Sequence, residues 1–91
     1  MPVLKISPLM RYYIDNQNEV VVSGTTVIEA LNNAVEKYPA LKTQIFDSDG
    51  KLRRHINVFV NDENIRDLKG LKTKLKEEDR VTLMASISGG N

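Results

Sequence analysis

Apolar and polar positions alternate from the start of the chain: Leu4 and Ile6 flank Lys5, the pattern of a half-buried strand, and Val3 adjoins them. Pro8 closes this run, because proline donates nothing to a strand ladder. The polar stretch Asp15–Asn18 reads as a turn and Glu19–Val22 as a second strand, so the two form a hairpin with a long loop. The period then changes. Ile28, Leu31, Val35 and Tyr38 recur at spacings of three, four and three, one stripe of a helix, while Glu29, Asn32, Asn33, Glu36 and Lys37 fall off that stripe. Thr26 with Glu29 makes a capping box, in which each side chain satisfies the other's free backbone N–H. Pro39 stops the helix at Tyr38 and suits the first position of a short second turn carrying Leu41 and Ile45.

Asp47–Gly50 is turn chemistry, after which Ile56, Val58 and Val60 alternate with Asn57 and Phe59 as a strand. Asn61–Glu63 predicts a tight turn into a short strand around Asn64–Arg66, Gly70–Leu75 a helical turn, and Glu77–Asp79 another turn. The last strand runs from Arg80 to about Ile87, with Val81, Leu83 and Ala85 on one face. One helix packed across one face of a mixed sheet of about five strands satisfies this order. The fold expected is therefore α+β, the β-grasp arrangement. Its core sets Ile28, Leu31 and Val35 against Leu4, Ile6, Val20, Val22, Ile56, Val58, Val60, Val81 and Leu83. Residues 1–87 make one domain, and residues 88–91 a flexible tail.

Size limits what such a domain can do alone. A chain of 91 residues buries about 60–65% of its unfolded surface, enough for a small core and too little for a deep substrate cavity. Cysteine is absent, which removes disulfides and thiolate nucleophiles together. The net charge of +1 argues against binding to nucleic acid. No apolar run approaches the roughly 20 residues that span a bilayer, and no signal peptide opens the chain, so a cytoplasmic protein is expected.

Ordinary catalytic sets are missing from the sequence. His55 is the single histidine, which leaves no His/Cys zinc site, and no nucleophile-elbow sequence accompanies it. Asp47, Asp49 and Gly50 faintly resemble a calcium loop, but the closing glutamate is missing. Lys51, Arg53, Arg54 and His55 read as a solvated loop entering a strand, and Lys69, Lys72, Lys74 and Lys76 as an exposed turn. The expectation is a protein that is not an enzyme and holds no metal or cofactor. Gly89–Gly90 has a chemical use at the end of a β-grasp domain. Without Cβ atoms, such a tail can thread a narrow channel and bring a carboxylate to another enzyme's nucleotide.

The run from Asn57 through Val-Phe-Val-Asn-Asp-Glu-Asn-Ile to Arg66, then Gly70-Leu71, Asp79 to Leu83, and Ser88-Gly-Gly90, resembles the ThiS/MoaD family of ubiquitin-like sulfur carriers. Within it the chain is most similar to the CysO-type carriers of cysteine synthesis. The resemblance implies adenylation and a thiocarboxylate at Gly90, with Gly89 threading the partner's channel. It also implies three partners: an ATP-dependent E1-like adenylating enzyme, a pyridoxal-phosphate-dependent sulfhydrylase or synthase, and a JAMM-type zinc peptidase. The sulfur is expected to go to cysteine or homocysteine and methionine synthesis. The alternatives are a ubiquitin-like modifier of protein lysines and the small subunit of molybdopterin synthase. The molybdopterin subunits carry a proline pair where this chain has Met84-Ala-Ser-Ile87, which disfavours that role. Asn91 follows Gly90 and ties up its carboxyl group, so removal of Asn91 by a peptidase is expected before Gly90 reacts. Phe59 and Met84, pointing away from the helix by period two, are expected to dock partners, with basic residues at the rim.

Overall fold

The computed structural model describes residues 1–85, and within them five strands form one mixed sheet. Strand β1 (Val3–Ile6) lies antiparallel to β2 (Glu19–Val21) and parallel to β5 (Arg80–Ala85). On its other side β5 pairs antiparallel with β3 (Ile56–Val60), which carries the short β4 (Glu63–Asn64) at the edge. Register aligns the apolar positions: Leu4 lies beside Val81 and Ile6 beside Leu83, while Val58 and Val60 oppose Leu83 and Val81. With Val20 and Ile56 these side chains are all buried on one face.

Helix α1 (Val27–Lys37) packs over that face and ends at Tyr38, as the proline at position 39 predicts. Its buried side is Val27, Ala30, Leu31 and Ala34, whereas Ile28, Val35 and Tyr38 are half-buried against the margin of the core. The expected stripe is thus rotated about Leu31. Ala30 and Ala34 have little bulk to hold helix and sheet apart, so they take the centre, and the larger flanking residues seal the sides. Helix α2 (Leu41–Ile45) buries Leu41 and Ile45.

Three local expectations are corrected. Between β1 and β2 the chain forms a 3-10 helix, Pro8–Ile14, that buries Met10 and Ile14. Pro8 therefore begins an element as well as ending one, with the Ser7 hydroxyl accepting from the Leu9 N–H at 3.4 Å. At α1, Thr26 Oγ1 accepts from Glu29 N at 3.3 Å, but the Glu29 carboxylate takes the N–H and hydroxyl of Thr25, at 2.8 and 3.1 Å, rather than the N–H of Thr26. The short strand is Glu63–Asn64, and Ile65–Asp67 turns as a 3-10 helix because Asn64 Oδ1 accepts from Arg66 N at 2.9 Å. The expected continuation of the last strand to Ile87, and the tail 88–91, lie outside the described residues.

Candidate functional site

The face of the sheet turned away from α1 carries Phe59 and Met84. Phe59 opposes Thr82 and Met84 opposes Asn57, so the two apolar side chains are diagonal neighbours across β3 and β5. Phe59 is half-buried and Met84 is 48% exposed. Arg66 Nη1 donates to Asn57 Oδ1 at 2.7 Å, which sets one cation beside this pair.

The turn that precedes β4 ties the face together. Asn61 takes the left-handed conformation, with φ of 57°, one of the few settings in which asparagine is favoured over other side-chain-bearing residues. Its backbone N–H donates to Arg80 O at 2.7 Å, its Oδ1 accepts from Arg80 N at 3.1 Å, and its Nδ2 donates to Asp79 Oδ1 at 3.2 Å. Asp79 Oδ2 in turn accepts from Lys76 N at 2.8 Å. Part of the Val-Asn-Asp-Glu motif is thus a clamp between the β3–β4 turn and the start of β5.

Along β1 and β5, between this face and the 3-10 helix, runs an open groove of about 600 Å³. Lys5, Arg11, Arg80, Thr82 and Met84 line it, and Asn61, Asp62 and Glu78 close one end. Among the described residues none of the three cations pairs with a carboxylate, and Arg11 Nε is buried without an acceptor. Sequence reasoning did not assemble this groove. Alternation turns Lys5 and Arg80 outward, but Pro8 reads in the sequence only as the end of a strand; Ser7 as a cap with Pro8 at the first position is the signal that would have found the element carrying Arg11.

Two groups in the loop before β3 serve the fold. Asp47 Oδ1 accepts from Asp49 N and Lys51 N, at 2.9 and 3.0 Å, and so organises its own turn. Arg53 Nε donates to Thr43 O at 2.7 Å, and His55 is exposed ahead of β3. Among the described residues no group of three or more His, Asp or Glu could hold a metal ion, and no helix is long and apolar enough to cross a membrane. Gly89, Gly90 and Asn91 lie outside the described residues.

Known proteins share this architecture over nearly the whole chain. The sulfur carrier protein CysO of Mycobacterium tuberculosis is 32% identical over 89 residues, covering 96% of this chain and 96% of that protein. The crystal structure of the Amycolatopsis orientalis BexX/CysO complex contains a chain that superposes with a TM-score of 0.90 at 29% identity, covering 99% of this chain and 100% of that one. Small archaeal modifier protein 1 of Methanosarcina acetivorans matches with a TM-score of 0.85 at 36% identity, over 98% of this chain and 95% of that one. The sequence pattern of the ThiS family itself matches residues 9–90, running through the Asn61 clamp and β5 as far as the second glycine, and the chain belongs to that family.

Proposed function

We propose that the protein is a sulfur carrier whose reacting group is the carboxylate of Gly90. The observation that carries this reading is the extent of the family match, which reaches Gly90 at the end of a β-grasp domain, together with near full-length similarity to a CysO carrier. A free carboxylate is a poor electrophile. An oxygen of the Gly90 carboxylate attacks the α-phosphorus of ATP in an E1-like partner, pyrophosphate leaves, and an acyl-adenylate forms. Sulfide then adds to the Gly90 carbonyl carbon and AMP departs, leaving a thiocarboxylate. Gly89 and Gly90 have no side chains to obstruct a narrow channel into that partner.

While Asn91 is attached, the Gly90 carbonyl belongs to an amide and has no carboxylate oxygen to offer. Activation at Asn91 instead would place a branched polar side chain in the channel and push Gly90 one residue too far. A peptidase of the JAMM type, using zinc-activated water, therefore removes Asn91 first. The thiocarboxylate then supplies a pyridoxal-phosphate-dependent sulfhydrylase in the synthesis of cysteine or homocysteine, and the chemistry takes place in the cytoplasm. Phe59 and Met84 dock these partners. No step calls for a catalytic group on the carrier itself.

The similarity to small archaeal modifier protein 1 favours a second reading, in which Gly90 is joined to lysines of other proteins through the same adenylate. Intact mass of the protein purified from its own cell separates the two. The carrier reading expects loss of Asn91 and sulfur or an amino acid on Gly90. Conjugates to protein lysines, with no thiocarboxylate, would contradict it.

A further inference from the structure

We infer that the groove over β1 and β5 receives an extended acidic segment of a partner protein, its carboxylates held by Lys5 and Arg11 and an apolar side chain resting on Met84. This deepens the docking role proposed for Met84, and rests on it, by assigning the chemistry of the segment that binds.

Charge is distributed unevenly along the groove. Register places Lys5 beside Thr82 and Ile6 beside Leu83, so Ser7, Met84 and the 3-10 helix carrying Arg11 mark the end of β5 that leads into residues 86–91. Asp62 and Glu78 stand at the opposite end, near Arg80. Lys5 and Arg11 also line the adjoining hollow with Asn18 and Glu19; Glu19 stands opposite Lys5 across β1 and β2, so its carboxylate disfavours an acidic segment on that side and leaves the groove over β5 as the approach. Arg11 is half-buried, which means part of its stem is ordered before a partner arrives. Its guanidinium has no carboxylate partner among the described residues. A guanidinium matches a carboxylate in a two-point geometry that lysine does not reproduce. Met84, 48% exposed in the same groove, adds apolar surface to the contact. A uniform polyanion fits less well, because Asp62 and Glu78 repel it at one end; a peptide can carry acidic residues at one end and neutral ones at the other.

The test is a titration of the ¹⁵N-labelled full chain, followed by amide shifts, with a short blocked peptide that carries Glu residues at one end and Leu and other neutral residues at the other. The controls are a peptide alternating Lys and Leu and a short oligothymidylate. The expected result is shifts centred on Lys5, Arg11, Thr82 and Met84, affinity that falls as salt is raised, and about fivefold weaker binding in each of Lys5→Glu and Arg11→Glu. Lys5 is exposed, so its variant leaves packing untouched if Arg11→Glu disturbs the fold. Absence of shifts, shifts centred elsewhere, unchanged affinity in Lys5→Glu, or equal binding of either control at these amides overturns the inference. Sulfur loading by the adenylating enzyme, read by mass, tests the carrier reading separately. A chain that is loaded but binds no acidic peptide loses only this inference, and a chain that binds the peptide but is never loaded loses only the carrier role.

Discussion

Leu31 and Asn61 stabilise the domain in different ways, one by filling space and the other by holding a turn. Leu31 is fully buried between helix and sheet, so Leu31→Ala should cost about 2–5 kcal/mol, depending on how far the cavity relaxes. Denaturant unfolding measures this directly, and an unchanged midpoint would remove Leu31 from the core. Asn61 is exposed, yet its left-handed backbone and its bonds to Asp79 and Arg80 predict that Asn61→Ala costs about 1–2 kcal/mol. Asn61→Gly keeps the conformation and loses only the side-chain bonds, so it should fall between wild type and Ala in the same assay. Leu31 was legible because the helical period passes through it whichever way the stripe is rotated. The role of Asn61 was not, because its partners lie in a turn and strand far along the chain, and period two carries no information about such a bond.

Strand β3 and helix α1 were plain in the sequence because each has its own period, two for the strand and 3.6 for the helix. The elements that were misread have no period long enough to see. The 3-10 helix Pro8–Ile14 is set by the Ser7-Pro8 start and by burial of Met10 and Ile14, and β4 is cut short by the Asn64 side chain. The start of α1 illustrates how tertiary contacts adjust a local motif. Gly24, at φ of 148°, brings the chain so close to the helix that a Cβ would lie 2.8 Å from Ala30 N, and the segment is then held by Leu75 N donating to Thr25 O and Val27 N donating to Thr73 O, with Thr26 opposite Lys74. In that setting Glu29 reaches Thr25. Glu29→Ala should lower stability by about 0.5–1.5 kcal/mol, and hydrogen exchange at the Thr25 amide should speed up more than at Leu31. Equal exchange changes at the two amides would contradict the displaced cap.

For the whole molecule, the sheet separates two tasks. One face is consumed by the core, and the other presents Phe59, Met84 and the basic groove. Alternation was enough to read the facing of Phe59 and Met84; the groove needed Arg11, which only the folded 3-10 helix brings to β1. Phe59→Ala should weaken binding to the adenylating enzyme, with calorimetry expected to show about a tenfold loss, a typical cost for a truncated aromatic contact, while the melting temperature changes little. Normal affinity in that variant would remove Phe59 from the docking face. The central claim concerns Gly90, and one comparison tests it most directly. The full chain and a chain ending at Gly90 are each incubated with the adenylating enzyme, ATP and sulfide, then weighed intact. Only the shortened chain should gain the mass of one oxygen replaced by sulfur. Equal loading of both chains without loss of Asn91, or loading of neither by an enzyme that makes adenylate, would contradict the account.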